Sequence, residues 1–425
     1  MRLGVFFIGN PQSGGIYQYS LSILDSLKNR SEKVVILNLS GASFPVEENK
    51  DYFQISNVLR VMNLVKQVTT NICLRLRPEE TTRTNEPAGA ETATRKKHTL
   101  VKGLTRLQNQ IDILFLRLLI KMNRINLVIY TTHSNLSFKL KIPYIMPVHD
   151  LQHRLNPQFP EVSANGIWEE REYFFANCIP NAEMILADSE TGREDILKFY
   201  PSDGKKVKVL PYPPPNYLRR NYSAEELGKI REKYHLPQRF LFYPANFWPH
   251  KNHKLIIQAL NHMKINHRLK ISVVFVGSNP ARYGEFDKVW ELASKYGLKD
   301  QVYYHGYVPN KDIGVLYKLA EALVMPTFFG PTNIPYLEAF AVGCPVIGSD
   351  IRGIREQIGD AGLLVDPNST ESLATAILKI WNDAGFRETL IRKGYDKTEA
   401  WNFKKFSEAL NGFIDELKER LSHTG

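Results

Sequence analysis

Cysteine is scarce. Cys73, Cys178 and Cys344 are the three in 425 residues, far apart and with no C-x-x-C, which excludes a disulfide scaffold and a cysteine-rich zinc site. No run of about 18 apolar residues exists, so no segment reads as a spanning helix. The opening apolar run, residues 3–8, is too short for a signal peptide and reads as a first strand, which predicts a cytoplasmic location. H-E-x-x-H and D-x-D are missing, which leaves no motif for a catalytic metal. G-x-G-x-x-G is missing too, so a dinucleotide fingerprint is unsupported and no resident cofactor is expected. Zinc-finger spacing and basic-zipper heptads are absent, which removes nucleic acid as the expected partner.

Cations outnumber acids, 55 Lys and Arg against 44 Asp and Glu, for a net charge of +11 and a pI of about 9.3. Such a balance favours polyanions, an anionic membrane face or phosphorylated small molecules. Most of the excess lies in residues 56–125, which hold thirteen cations and five acids. Within them, residues 111–122 are apolar but punctuated by Arg117 and Lys121. That pattern suits a helix on an anionic membrane surface, and equally a buried helix with a solvated basic edge. Residues 78–99 contain no large apolar side chain and cannot repay their ordering entropy by burial, which predicts a mobile loop.

Hydrophobic residues make up 43% and charged residues 23%, which rules out a mostly disordered chain. Short β-branched runs alternate with helical stretches, the signature of βαβ units and parallel sheets. Strands are expected at 3–8, 34–37, 127–130, 144–148, 184–187 and 207–210, and again at 240–244, 271–276, 302–305, 322–325, 346–348 and 362–365. Between the two blocks stands Pro211-Tyr-Pro-Pro-Pro-Asn216, where missing amides and fixed φ interrupt both sheets. The fold class is therefore α/β: two Rossmann-like, doubly wound parallel-sheet domains, at 1–212 and 222–400, joined by a Pro-rich linker at 213–221. Phe406, Leu410, Phe413, Leu417 and Leu421 recur at helical spacing. A helix over 404–421 should cover an apolar surface with that stripe.

Doubly wound sheets bind ligands at the carboxyl ends of their strands, and the polar motifs sit there. Gly14 and Gly15 open the first helix, where free amides attract phosphate. His149-Asp150 ends a strand, and its imidazole can donate to a sugar hydroxyl or stabilise developing charge. His153 follows at i+4 without a third ligand nearby. Asn246, His250, Lys251, Asn252 and His253 cluster after the first strand of the second block, and a Lys there is a point charge for a phosphate. Gly330-Pro-Thr-Asn333 forms a loop before a helix that starts near Pro335. Glu338 is expected in its first turn, placed to accept two hydrogen bonds from vicinal hydroxyls such as those of ribose.

The Lys251 setting, the loop running into Leu337-Glu338-Ala339, and Gly343-Cys-Pro-Val-Ile347 resemble the retaining glycosyltransferases of family 4, of the GT-B fold. So do Gly14-Gly15, His149-Asp150, Ala187-Asp-Ser-Glu190 and residues 353–366. The likeness runs over nearly the whole chain and is weakest at 40–125. It implies two sheets facing a central cleft, with the second domain holding a nucleoside diphosphate sugar. It also implies that Glu338 binds ribose, Lys251 binds the diphosphate, and the backbone of Thr332, Asn333 and Ile334 assists. Main chain near Tyr307 and Val308 would hold the base, and His149 would lie by the transferred sugar. A UDP-sugar, foremost UDP-glucose, is the implied donor, and a glycan or lipid-linked hydroxyl the acceptor, in polysaccharide synthesis at the inner membrane face. The last helix would cross back onto the first domain.

Two positions depart from the family pattern. Eight residues before Glu338, where the family carries a glutamate, stands Gly330. Five before Lys251, where it carries an arginine, stands Asn246, which keeps a hydrogen-bond donor but no charge; a protonated His250 would restore it. Two other functions fit the same residues: a nucleotide-sugar epimerase on this fold, and a catalytically silent scaffold of a polysaccharide-assembly complex.

Overall fold

A computed structural model describes residues 2–7, 14–28, 30–38, 52–54, 90–218 and 220–423. Two parallel sheets organise it. The first contains β1 (Arg2–Phe7), β2 (Val34–Asn38), β3 (Tyr52–Gln54), β4 (Ile125–Tyr130), β5 (Tyr144–Val148), β6 (Met184–Ala187) and β7 (Val207–Val209), in the order 3-2-1-4-5-6-7. The second contains β8 (Phe240–Pro244), β9 (Ser272–Val276), β10 (Val302–Tyr304), β11 (Ala322–Met325), β12 (Val346–Ser349) and β13 (Leu363–Val365), in the order 10-9-8-11-12-13. Each sheet reverses direction beside its first strand. Phe6 pairs with Tyr130 in one, and Phe242 pairs with Leu323 in the other.

The strands read as continuous apolar runs because helices cover both faces of a parallel sheet. Leu241, Phe242, Val273, Val274, Leu323 and Val324 are fully buried, forming the middle of the second core. Ser189, Ser223, Ser369 and Asp383 cap the helices that follow them by accepting a backbone N–H three residues on. Proximity groups the chain into two compact units: Met1–Pro147 with Asn181–Met184 and Leu417–Gly425, and Val148–Pro180 with Ile185–Glu416.

Three expectations need correction or restriction. Of the loop expected at 78–99, residues 78–89 lie outside the described residues. From Ala90 the chain is helical, within Ala90–Met122. Low hydrophobicity argued against burial there, but Ala, Glu, Arg and Lys are strong helix formers and extend the helix. Gly9 to Ser13 and the cations Arg60, Lys66, Arg75 and Arg77 also lie outside the described residues. In the last helix, Phe403–His423, the buried seam runs Phe406, Leu410, Ile414, Leu417. Phe413 sits beside it with Lys208 Nζ 5.6 Å from its ring. No described helix is long and apolar enough to cross a membrane.

Candidate donor-binding site

β8 and β11 are neighbours where the second sheet reverses, and their carboxyl ends carry the two loops of interest. After β8 the chain runs close to the end of β9. A Cβ at Gly277, whose φ is +133°, would stand 2.6 Å from the Ala245 carbonyl oxygen, so only glycine lets the two loops pass. Asn246 Oδ1 accepts the Ser278 N–H at 2.7 Å. Asn246 is therefore a brace between these loops. The turn Pro249–Lys251 follows, and Asn252, left-handed at φ 56°, donates to the carbonyls of Pro326 (3.0 Å) and Pro367 (2.8 Å). That pins the Lys251 turn to the end of β11. His253 stacks on Phe247 at 4.1 Å, and burial pushes its imidazole down to about 3, so it is a neutral core residue.

His250 does not add charge to the site. Its backbone N–H and Nδ1 both meet Glu161 Oε1, at 2.9 and 2.5 Å, and its ring stacks on Phe329 at 3.9 Å. Burial pushes it down to about 4 despite the carboxylate, so at pH 7 it is a neutral donor to an ionised Glu161. The expected second cation is thus absent from this position.

Lys251 Nζ reaches Asn333 Oδ1 at 3.2 Å, joining the two loops. Burial lowers its ammonium from 10.5 to about 8, opposed by the charge of Glu161. Gln357 clamps Asn333 at two points: Oε1 accepts its N–H at 2.8 Å and Nε2 donates to its carbonyl at 2.9 Å. Thr332 donates its hydroxyl to Asp188 Oδ2 at 2.6 Å. Gly330, at φ +129°, and Asn333 lead into the helix Ile334–Val342, with Pro335 in its first turn. Glu338 lies one turn further in than expected. Its two oxygens accept the hydroxyls of Tyr217 (2.7 Å) and Tyr317 (2.6 Å). Burial raises its pKa, and the two hydroxyls oppose that rise. Both oxygens retain lone pairs for further donors.

His149 is buried, with Nδ1 2.7 Å from the Tyr212 hydroxyl. Burial lowers it to about 4, so it acts through hydrogen bonds and not as a cation at neutral pH. Asp150 pairs with Arg171. His153 is committed elsewhere, near Glu172 (3.3 Å) and the Tyr200 hydroxyl (3.1 Å). Among the described residues no group of three His, Cys, Asp or Glu could hold a metal ion. A cavity of about 320 Å³ is lined by Asp188, Tyr212, Thr332, Gln357 and Trp401, among others.

Asp188 makes a pH-dependent contribution to stability. Burial and the charge of Asp150 raise its carboxyl from 3.8 to about 7, against the Thr332 hydrogen bond. The folded chain therefore holds a proton that the unfolded chain releases between about pH 4 and 7. Stability should fall over that window as pH rises, by at most about 1.4 kcal/mol per pH unit, and level off above it. Asp188→Asn keeps an acceptor for Thr332 and removes the slope. Its Tm should match wild type near pH 4 and exceed it by several degrees at pH 8; parallel Tm profiles would refute the assignment.

The remaining expected residues are placed as follows. Gly14, exposed at φ 58°, immediately precedes the helix Gly15–Leu27. Tyr307 is exposed and Val308 buried, just past β10, where the Gly306 carbonyl accepts the Gly277 N–H at 2.7 Å. Tyr217, Tyr317, Gln357 and Glu161 were not expected in the site. Tyr217 comes from the segment read as a linker, where Pro213, Pro214 and Pro215 are buried.

Residues 228–397 match the family described as glycosyl transferases group 1. Over 229 residues the chain is 29% identical to O-antigen chain mannosyltransferase B of Escherichia coli, covering 53% of this chain and 58% of that protein. The chain thus spans little more than half of that relative. Sucrose-phosphate synthase from Thermosynechococcus elongatus superposes with a TM-score of 0.70 at 17% identity, covering 99% of this chain and 100% of that one. Anabaena Alr3699/HepE, in complex with UDP-glucose, gives 0.67 at 15% identity, covering 98% and 100%. These likenesses fix the fold. The chain has the two-domain GT-B fold, and residues 228–397 are similar to the group 1 glycosyl transferase domain.

Proposed function

We propose that the chain is a retaining, metal-independent glycosyltransferase of family 4 type. It moves a sugar from a nucleoside diphosphate to a hydroxyl of a glycan or lipid-linked acceptor in polysaccharide synthesis. The observation that carries this reading is the pairing, where the second sheet reverses, of Lys251 with the Thr332–Asn333 loop and of Glu338 with two tyrosine hydroxyls. One arm supplies charge for a diphosphate; the other supplies an anchored carboxylate for vicinal hydroxyls. The donor-binding domain is 222–400 and the acceptor side 1–212.

Lys251 and the loop amides take up the charge that develops on the leaving diphosphate, the role a metal would otherwise fill. The acceptor oxygen bonds to the anomeric carbon on the face the phosphate leaves. Its proton passes to the departing phosphate oxygen. Neutral His149 holds a sugar hydroxyl beside this centre. A UDP-sugar remains the first donor to test. The mannosyltransferase among the relatives adds mannose to the sugars to test. A thermal-shift panel of UDP, GDP, dTDP and ADP, followed by transfer assays with UDP-glucose and GDP-mannose, tests the reading. A nucleotide at 100 times its Kd stabilises by about 2.7 kcal/mol. No shift with any nucleotide and no transfer would overturn the reading.

Glu338→Gln should weaken binding of the preferred nucleoside diphosphate about tenfold, as expected for one charge-assisted hydrogen bond. The 2′-deoxy nucleotide should bind both proteins alike. Unchanged calorimetric affinity would remove Glu338 from the ribose.

The helix Ala90–Met122 adds a reason to place the acceptor at a lipid surface. Leu107, Ile111, Leu114, Leu118 and Met122 form one exposed stripe, and Arg106, Arg117, Lys121 and Arg124 are exposed near it. Each cation near an anionic leaflet contributes about 1 kcal/mol. The protein should sediment with anionic vesicles at low salt, and less so with Leu114→Gln and Leu118→Gln combined. Protein left in the supernatant would favour a soluble acceptor.

A further inference from the structure

One carboxylate in this region has no assigned role. Glu161 lies in the short helix Pro160–Ser163, and its side chain is 5% exposed. Its Oε1 is fully engaged by the backbone N–H and Nδ1 of His250. Its Oε2 is buried and meets no donor. The His250 hydrogen bonds nevertheless hold its pKa below the ordinary 4.5, so it stays ionised.

An ionised oxygen closed to water and to donors is costly, and a native chain keeps one where something else completes it. The fixing of the side chain is equally marked. His250 stacks on Phe329, and Phe159, two residues before Glu161, packs on Phe328 at 5.4 Å and Phe329 at 5.3 Å. Lys251 is the next residue after His250, and its ammonium feels the Glu161 charge. Asn333, which accepts from Lys251, has a second unsatisfied group: its Nδ2 is buried without an acceptor. The orphan acceptor thus sits on the partner of His250, and the orphan donor on the partner of the adjacent Lys251. A carboxylate-bearing residue at position 330 would be strained, on a backbone with φ +129° and with its Cβ 2.8 Å from Asn333 Nδ2.

We propose that Glu161 Oε2 accepts a hydrogen bond from a hydroxyl of the transferred sugar, making Glu161 the carboxylate that selects the donor's sugar. This rests on the glycosyltransferase reading above. A hydroxyl is the matching partner because it donates to the carboxylate while its oxygen accepts from a neighbouring N–H, whereas a phosphate can only be repelled by Oε2.

The test compares wild type with Glu161→Gln, using calorimetry with UDP and GDP and steady-state transfer from UDP-glucose or GDP-mannose, whichever the wild type uses. The variant should bind the free nucleoside diphosphate within twofold of wild type and lose about a hundredfold in kcat/KM with the intact sugar nucleotide. Monodeoxy analogues of the donor sugar then locate the hydroxyl. One deoxy analogue should cost wild type tenfold or more and cost the variant nothing further. Equal losses in nucleotide binding and in transfer would reduce Glu161 to a brace for the Lys251 turn and overturn the proposal. Should the Gln variant fold poorly, the deoxy series on wild type decides: no analogue losing more than twofold overturns the proposal. A wild type that binds no nucleotide and transfers neither sugar overturns the glycosyltransferase reading and this proposal with it. A wild type that transfers while Glu161→Gln matches it overturns this proposal alone.

Discussion

Lys251→Ala is expected to slow sugar transfer by about 10²–10³-fold, the loss that follows removal of one preorganised donor to developing charge, about 2.7–4 kcal/mol. The size of the effect follows from the composition of the site. Asn246 is neutral and holds Ser278, and His250 is neutral and holds Glu161, so neither supplies the missing charge. The ammonium also carries its own pH signature. With its pKa near 8, it is mostly protonated at pH 7 and mostly neutral at pH 9 in the free protein. A diphosphate favours the protonated form. Nucleotide affinity should therefore fall as pH rises through about 8, and binding above that pH should take up a proton. Lys251→Gln should bind weakly and without that dependence. Calorimetry in two buffers of different ionisation enthalpy measures the proton directly. Wild-type turnover in the Ala variant, or the same pH profile in the Gln variant, would refute the assignment.

Ending the chain at residue 400 is expected to yield aggregated protein. The helix Phe403–His423 buries Phe406, Leu410, Ile414 and Leu417 almost completely. Burial of each such side chain is worth about 1.5–3 kcal/mol, so the four together contribute on the order of 10 kcal/mol. That equals the whole net stability of a typical domain, about 5–15 kcal/mol. Polar ties go with it: Lys418 pairs with Glu32, and Arg420 donates to the Glu183 carbonyl at 2.8 Å. The Pro211 carbonyl would also lose the 3.1 Å bond it accepts from Trp401 Nε1. Ile414→Ala should be folded but about 2–5 kcal/mol less stable. Size-exclusion chromatography of the truncated chain decides; a soluble, folded and fully active product would contradict the account.

The strands were legible because a buried parallel strand is a continuous apolar run between polar turns, and each expected run became one. Tyr52–Gln54 escaped notice because three residues beside Lys50 and Asp51 carry no such contrast. The helix beginning at Ala90 escaped because low hydrophobicity measures burial and not helix propensity. In the site, Lys251, Thr332, Asn333 and Glu338 stood out through their loops, which follow strands and are rich in Gly, Pro and Asn. Their partners did not. Tyr217 is 121 residues from Glu338, Asp188 is 144 from Thr332, and Glu161 is 89 from His250. A lone polar residue on a short helix or a Pro-rich segment has no period to betray it. Only the fold brings it to its partner.

Amide hydrogen exchange with and without the preferred nucleoside diphosphate tests the central claim most directly. Protection should appear at 246–253, at 327–338 and around 304–308, the segments at the carboxyl ends of β8, β11 and β10, and should be lost in Lys251→Ala at the same nucleotide concentration. Protection confined to other segments, or none at saturating nucleotide, would contradict the placement of the donor in this site.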